Sequence, residues 1–126
     1  MIGIGVDLVE LDRFRVSLAR TPGLITRCFT EDEQTYSRAR RDPTERFAVR
    51  FAAKEAVMKA MGVGLGAVRM VDIEVVRASS GRPSIVLHGA AADLAAAQGI
   101  VEWKITMTHT KHLAEAIVVA LGERSA

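Results

Sequence analysis

The sequence predicts an α+β domain, a mostly antiparallel sheet packed on one long helix, in the order β-α-α-α-β-β-α-β-β. Three observations carry this. Apolar residues alternate with small or polar ones in Met1–Val9 and again in Val101–His109, the period of a strand with two unlike faces. Phe47–Gly62 reads as one helix of about four turns. Ser79-Ser80-Gly81-Arg82-Pro83 separates two short apolar runs as a hairpin turn. Strands segregated from a block of helices favour α+β over an alternating α/β order. With 126 residues, residues 1–126 are expected to form a single domain.

Each element has its own signal. In Met1–Val9, Ile2, Ile4, Val6 and Leu8 point one way, and Gly3, Gly5 and Asp7 the other. The second face is nearly bare, with room for another backbone or a ligand. Asp7 is its one functional group, either meeting water at a strand end or serving a site. Leu11–Arg20 reads as a helix with Phe14 and Leu18 inward, stopped by Thr21-Pro22-Gly23. Leu24–Phe29 is a short apolar helical turn. Thr30-Glu31-Asp32-Glu33 is a capping-box pattern opening a helix to about Arg41. Arg38, Arg40 and Arg41 crowd the end of that helix, where positive charge suits its dipole.

Asp42-Pro43-Thr44-Glu45 opens the central helix, with Asp42 able to cap it and Pro43 fitting its first position. Alanine recurs at Ala48, Ala52, Ala56 and Ala60, with Glu55 and Lys59 beside that ridge. Arg46, Arg50 and Lys54 form a separate basic row. Taken alone, Glu55 and Lys59 one turn apart favour a surface salt bridge, worth about 0.3–0.5 kcal/mol; the other reading is that something binds there. Gly62, Gly64 and Gly66 end the helix in a loop lacking the order and the Lys-Ser/Thr of a P-loop. Val71–Val76 and Ser84–His88 are the hairpin strands. Ala90–Gln98 is a helix ended by Gly99, and Ala114–Leu121 is the last strand.

Composition narrows the function. Hydrophobic residues make up 49% and charged residues 25%, with a formal net charge of +2. That suits an anionic small molecule or an acidic protein partner and is too weak to argue for nucleic acid. Cys28 is the one cysteine, which fits a reducing compartment. No signal-peptide pattern opens the chain, and no apolar run approaches the ~18 residues of a membrane span. A cytoplasmic protein is expected, with no nucleic-acid or membrane partner.

The polar groups with unusual placement are Asp7, Glu55, Lys59 and His109. Two converging carboxylates would make a hard-oxygen site, and Mg²⁺ is held by one or two carboxylates with water and substrate phosphates. Such an ion neutralises phosphate charge in displacement at phosphorus. Lys59, one turn past Glu55, is placed to add a second positive charge, and Arg50 and Lys54 could bind further phosphates. His88, His109 and His112 share no short ligand spacing for zinc. Cys28, between Arg27 and Phe29, reads as a small buried residue.

Three stretches resemble the signatures of the holo-acyl-carrier-protein synthases, the short single-domain class of 4′-phosphopantetheinyl transferases. They are Gly3-Ile-Gly-Val-Asp-Leu-Val-Glu10, Arg50-Phe-Ala-Ala-Lys-Glu-Ala-Val-Met-Lys59 and Thr108-His-Thr110. Gly81-Arg-Pro83 and Leu87-His-Gly89 fit the same pattern, and the likeness covers nearly the whole chain in order. The resemblance implies the 4′-phosphopantetheinyl transferase fold. It also implies Mg²⁺-dependent transfer of 4′-phosphopantetheine from coenzyme A to a serine of an apo acyl carrier protein, releasing adenosine 3′,5′-bisphosphate, in fatty acid biosynthesis. Asp7 and Glu55 would hold Mg²⁺, and Lys59 would contact the pyrophosphate, these three being the catalytic set. Arg50, Lys54 and His109, with Lys59, would lie along the coenzyme A site. Arg13 would contact the acidic recognition helix of the carrier protein. The resemblance further implies a homotrimer with the coenzyme A site between subunits. The competing reading is a non-catalytic basic module that binds an acidic protein or RNA through Arg38, Arg40, Arg41, Arg46 and Arg50.

Overall fold

A computed structural model describes residues 1–123. The elements are β1 (Gly3–Glu10), α1 (Leu11–Arg20), α2 (Leu24–Cys28), α3 (Glu31–Arg38), α4 (Thr44–Ala60), β2 (Ile73–Arg77), β3 (Pro83–Leu87), α5 (Gly89–Ala97), β4 (Glu102–His109) and β5 (Leu113–Leu121). The α+β class is as expected, with three differences in detail. The apolar turn before Thr30 is a short helix in its own right, so four helices rather than three separate β1 from β2. Helix α3 stops at Arg38. The strand expected from Val71 begins at Ile73, because Met70–Asp72 forms a 3-10 turn.

All pairing is antiparallel, in two sheets: β1-β5-β4 and the hairpin β2-β3. In the larger sheet Asp7, Ala116 and Met107 form one rung, and Val9, Ala114 and His109 the next. Successive side chains alternate across a strand, so Asp7 and His109 project from the same face, the one that α4 covers.

Helix α4 lies unusually close to β1, and sequence shows why. A Cβ on Gly5 would stand 1.9 Å from the carbonyl oxygen of Ala56, and one on Gly3 would stand 2.0 Å from that of Ala60. The bare face of β1 is therefore the buried one, filled by the backbone of the alanine ridge. Ala52, Ala56 and Ala60 join Ala116, Val118 and Ala120 of β5 in one core. A second core gathers Leu11, Phe14, Phe29, Phe47 and Ala48, with Phe29 and Phe47 in tilted contact at 4.8 Å. The cost of this arrangement is that the apolar face of β1 is left outside: Ile4 is 59% and Leu8 55% exposed, with Val6 and Ile117 beside them.

Capping follows the sequence with one shift. The Thr30 hydroxyl accepts from Glu33 N–H, and the Glu33 carboxylate accepts from Thr30 N–H, a complete capping box. Pro43 occupies the N-cap of α4 and offers no side-chain bond. Asp42 reaches past it to accept from Thr44 N–H at 3.1 Å. Asp42 also accepts from Arg15 at 3.0 Å, and these bonds hold its carboxyl below the usual range.

Candidate active site

The inward row of β1 carries Asp7, and the ridge of α4 brings Glu55 and Lys59 against it. Lys59 Nζ donates to Asp7 Oδ1 and to the Val6 carbonyl, both at 3.0 Å. The helical Glu55–Lys59 salt bridge that the spacing favoured is thus absent: the ammonium reaches across to the strand. Among the described residues Glu55 has no ion pair. Burial, and then the nearby Asp7 charge, push its carboxyl up from the ordinary value, with Lys59 partly opposing them. Asp7 and Glu55 line one cleft of about 350 Å³, together with Glu10, Arg13, Phe14 and Phe51.

This donor set fits Mg²⁺. Asp7, Glu10 and Glu55 line one cleft. The Glu55 carboxyl is raised by burial first and by the Asp7 charge second, and a cation between Asp7 and Glu55 would relieve that second cause. Among the described residues no group of three or more His, Cys, Asp or Glu side chains could form a closed metal cage. A pair that leaves positions for water and phosphate is what Mg²⁺ uses.

On the other flank of α4 lies a basic cleft of about 220 Å³, lined by Arg40, Arg46, Arg50, Arg77, Tyr36, Glu45 and His109 among others. At ~100° per residue, Arg50 and Glu55 project roughly 140° apart on the helix. His109 Nε2 pairs with Glu45 Oε1 at 3.2 Å. Arg50 is 3% exposed and stacks on Tyr36 at 4.2 Å. Its NH1 reaches the Arg46 carbonyl at 3.3 Å, while its Nε has no partner. So Arg50 and His109, far apart in sequence, share one cleft, and Asp7 and Glu55 share the opposite one, with Lys59 bonded to Asp7.

Lys54 belongs to neither. It was expected along the coenzyme A site, but it is fully buried. Its ammonium donates to Glu33 Oε1 at 2.8 Å, to the Met70 carbonyl at 3.1 Å and to the Ile73 carbonyl. All three protons are spent, and a phosphate has no access. The second oxygen of Glu33 accepts from Val75 N–H at 3.0 Å. Lys54 therefore ties α4 to α3, to the 3-10 turn and to β2. The basic row on the helix splits here, because Lys54 finds the buried Glu33 while Arg46 and Arg50 find Tyr36.

Arg13 is exposed on α1 and lines the rim of the carboxylate cleft. The five arginines of the basic-module reading do not form one surface, since Arg50 is buried and Arg46 half-buried against Tyr36. Sequence reasoning missed Tyr36 and Arg77. Tyr36 is the sole tyrosine of the chain, but its proximity to Arg77 spans 41 positions, and no periodicity carries such a pairing.

The chain belongs to the 4′-phosphopantetheinyl transferase superfamily, which matches residues 3–116. Within it, the chain is 44% identical to the holo-acyl-carrier-protein synthase of Moorella thermoacetica over 99% of its length and 96% of that protein. It superposes on the crystal structure of the Neisseria meningitidis holo-acyl-carrier-protein synthase with a TM-score of 0.87 at 32% identity, covering 96% of this chain and 99% of that one. The Helicobacter pylori enzyme, solved in complex with coenzyme A, matches with a TM-score of 0.82 at 27% identity over 94% and 99% of the two chains.

Proposed function

We propose that the protein is a Mg²⁺-dependent transferase that moves 4′-phosphopantetheine from coenzyme A to a serine of an apo acyl carrier protein, in fatty acid biosynthesis. The observation that carries this reading is the meeting of Asp7 and Glu55 in one cleft, with Lys59 bonded to Asp7, within a chain so similar to holo-acyl-carrier-protein synthases. Mg²⁺ bound by Asp7 and Glu55 supplies charge neutralisation for the pyrophosphate. Lys59, bonded to Asp7, binds the pyrophosphate, offsetting charge on the departing phosphate. The serine oxygen forms a bond to the pantetheine-side phosphorus. The bond from that phosphorus to the bridging oxygen breaks, and the electron pair leaves with adenosine 3′,5′-bisphosphate. Glu55, or a water that it orders, takes the serine proton.

Arg50 and His109 bind the nucleotide end of coenzyme A, and Arg13 guides the acidic face of the carrier. Charge pairs of that kind act mostly on encounter rate and specificity. The two clefts open on opposite flanks of α4, so one coenzyme A is served by the carboxylate cleft of one copy and the basic cleft of a neighbour. The outward apolar row Ile4, Val6, Leu8 and Ile117 supports the same reading, since apolar faces of this kind mark interfaces, and a homotrimer closes such a heterologous contact. Among the described residues no helix is long and apolar enough to cross a membrane, in keeping with a single-domain cytoplasmic enzyme.

The deciding experiment is direct. Incubation with coenzyme A, Mg²⁺ and apo carrier protein adds phosphopantetheine to the carrier, read by mass spectrometry. The absence of an adduct with each of several carriers would sink the reading. Chelation of Mg²⁺ abolishes the adduct, and unchanged turnover in excess chelator would count against the metal site.

A further inference from the structure

The basic cleft holds more positive charge than Arg50 accounts for. Three guanidiniums surround the single ring of Tyr36, with centres 4.0 Å (Arg46), 4.2 Å (Arg50) and 5.1 Å (Arg77) from its centroid. Two are also bonded to the same residue: Arg77 NH1 donates to the Tyr36 hydroxyl and Arg46 NH1 to the Tyr36 carbonyl, each at 2.6 Å. Among the described residues none of the three has a carboxylate partner. Glu45, the one carboxylate lining this cleft, is paired with His109. On the far side of Arg50, Glu33 is taken by Lys54 and Glu74 by His88 and Thr30, and Asp32 lines that side without an ion pair to any of the three arginines.

Like charges gathered this closely repel, and the buried Arg50 keeps an unpartnered Nε. Stacking on the tyrosine face offsets part of that repulsion. Among the described residues no carboxylate pairs with the remaining donors, those of the exposed Arg77 facing solvent. A guanidinium has five N–H donors, and the bonds above use one from each. The missing partner is a compact anion with several acceptor oxygens and more than one charge, and a phosphomonoester fits that chemistry.

We propose that Tyr36 is a positioning residue that stacks Arg46, Arg50 and Arg77 into one anion cage, and that Arg77 is a specificity-determining residue that selects a coenzyme ending in a phosphomonoester. Identifying that phosphomonoester as the 3′-phosphate of coenzyme A rests on the function proposed above. Tyr36 touches no reacting atom. It acts by holding arginines, so its ring matters more than its hydroxyl.

The test compares coenzyme A with dephospho-coenzyme A in steady-state kinetics. Arg77 is exposed, so Arg77→Gln folds. Losing one charge-assisted phosphate contact lowers the preference for coenzyme A, measured as the ratio of the two kcat/KM values, by about tenfold, through KM. Tyr36→Leu lowers the ratio at least as far, while Tyr36→Phe restores most of it. A loss shared equally by the two coenzymes, or no loss with either, overturns the cage. Should Tyr36→Leu fail to fold, calorimetry on Arg77→Gln decides. The variant binds adenosine 3′,5′-bisphosphate about tenfold more weakly than the wild type, with a much smaller change for adenosine 5′-monophosphate. Equal changes for the two nucleotides overturn the proposal. Failure of the wild type to transfer phosphopantetheine strikes the proposed function instead, and the nucleotide measurement still reads the cage.

Discussion

Glu55 shows how a residue can serve a site at the expense of the fold. Burial and the Asp7 charge raise its carboxyl, so the folded state holds its proton more tightly than the unfolded chain does. Between its ordinary value of 4.5 and the raised one, the native state binds more protons, and stability falls as pH climbs through that window. Above it the penalty is constant. Glu55→Gln removes the penalty, so the variant melts higher than the wild type at pH 7. The gain vanishes when the melts are repeated below the ordinary carboxylate range. The same substitution removes the proposed base and a proposed metal ligand, and turnover falls about 100-fold or more. A variant that keeps its activity, or that melts lower at neutral pH, contradicts the role given to Glu55. Sequence alone did not resolve this residue. Spacing of four offered Lys59 as its partner, but Lys59 reached Asp7 at 3.0 Å, since a long flexible side chain follows the nearest unpaired charge.

At the scale of elements, the contact between β1 and α4 positions everything catalytic. Gly5 has no tolerance there: the 1.9 Å approach to the Ala56 carbonyl means that a methyl group must push strand and helix apart. Gly5→Ala lowers stability by about 3 kcal/mol, the upper end of overpacking costs, measured by urea unfolding, and displaces Asp7 from Glu55. The Lys54–Glu33 pair joins the other elements. Lys54→Met leaves a buried carboxylate unpaired, at a cost of about 3–5 kcal/mol. Adding Glu33→Gln recovers part of that loss, a coupling that a double-mutant cycle reads directly. A Lys54 serving coenzyme A would show no such coupling. The strand pattern, the helix ridge and the capping box were legible because each is local. Lys54 was misplaced because a lysine on a helix looks the same from sequence whether its ammonium meets water or a buried carboxylate 21 positions away.

For the whole molecule, the outer sheet face and the opposed clefts make one prediction. Light scattering finds a trimer for the wild type, and Val6→Glu with Ile117→Lys yields a monomer lacking activity. A second measurement reads the sharing of sites. Glu55→Gln and Arg50→Gln, each impaired alone, regain activity when their subunits are mixed and exchanged. If each site takes Glu55 from one copy and Arg50 from the next, random trimers hold two intact halves at about a quarter of sites. No recovery would place both halves in one chain. What the sequence by itself determined was the order of elements, the family signatures and the residue types at the site. The element order follows from periodicity and capping, which act over a few residues, and the site residue types from spacing together with the resemblance to the family signatures. Which groups meet was decided by tertiary structure alone. Lys59 on Asp7, Lys54 on Glu33, and three arginines on Tyr36 are contacts across strands and helices, set by packing distances of a few ångströms. The helix through Glu55 carries residues of both clefts, and only its close seat on Gly3 and Gly5 determines which charges face one another.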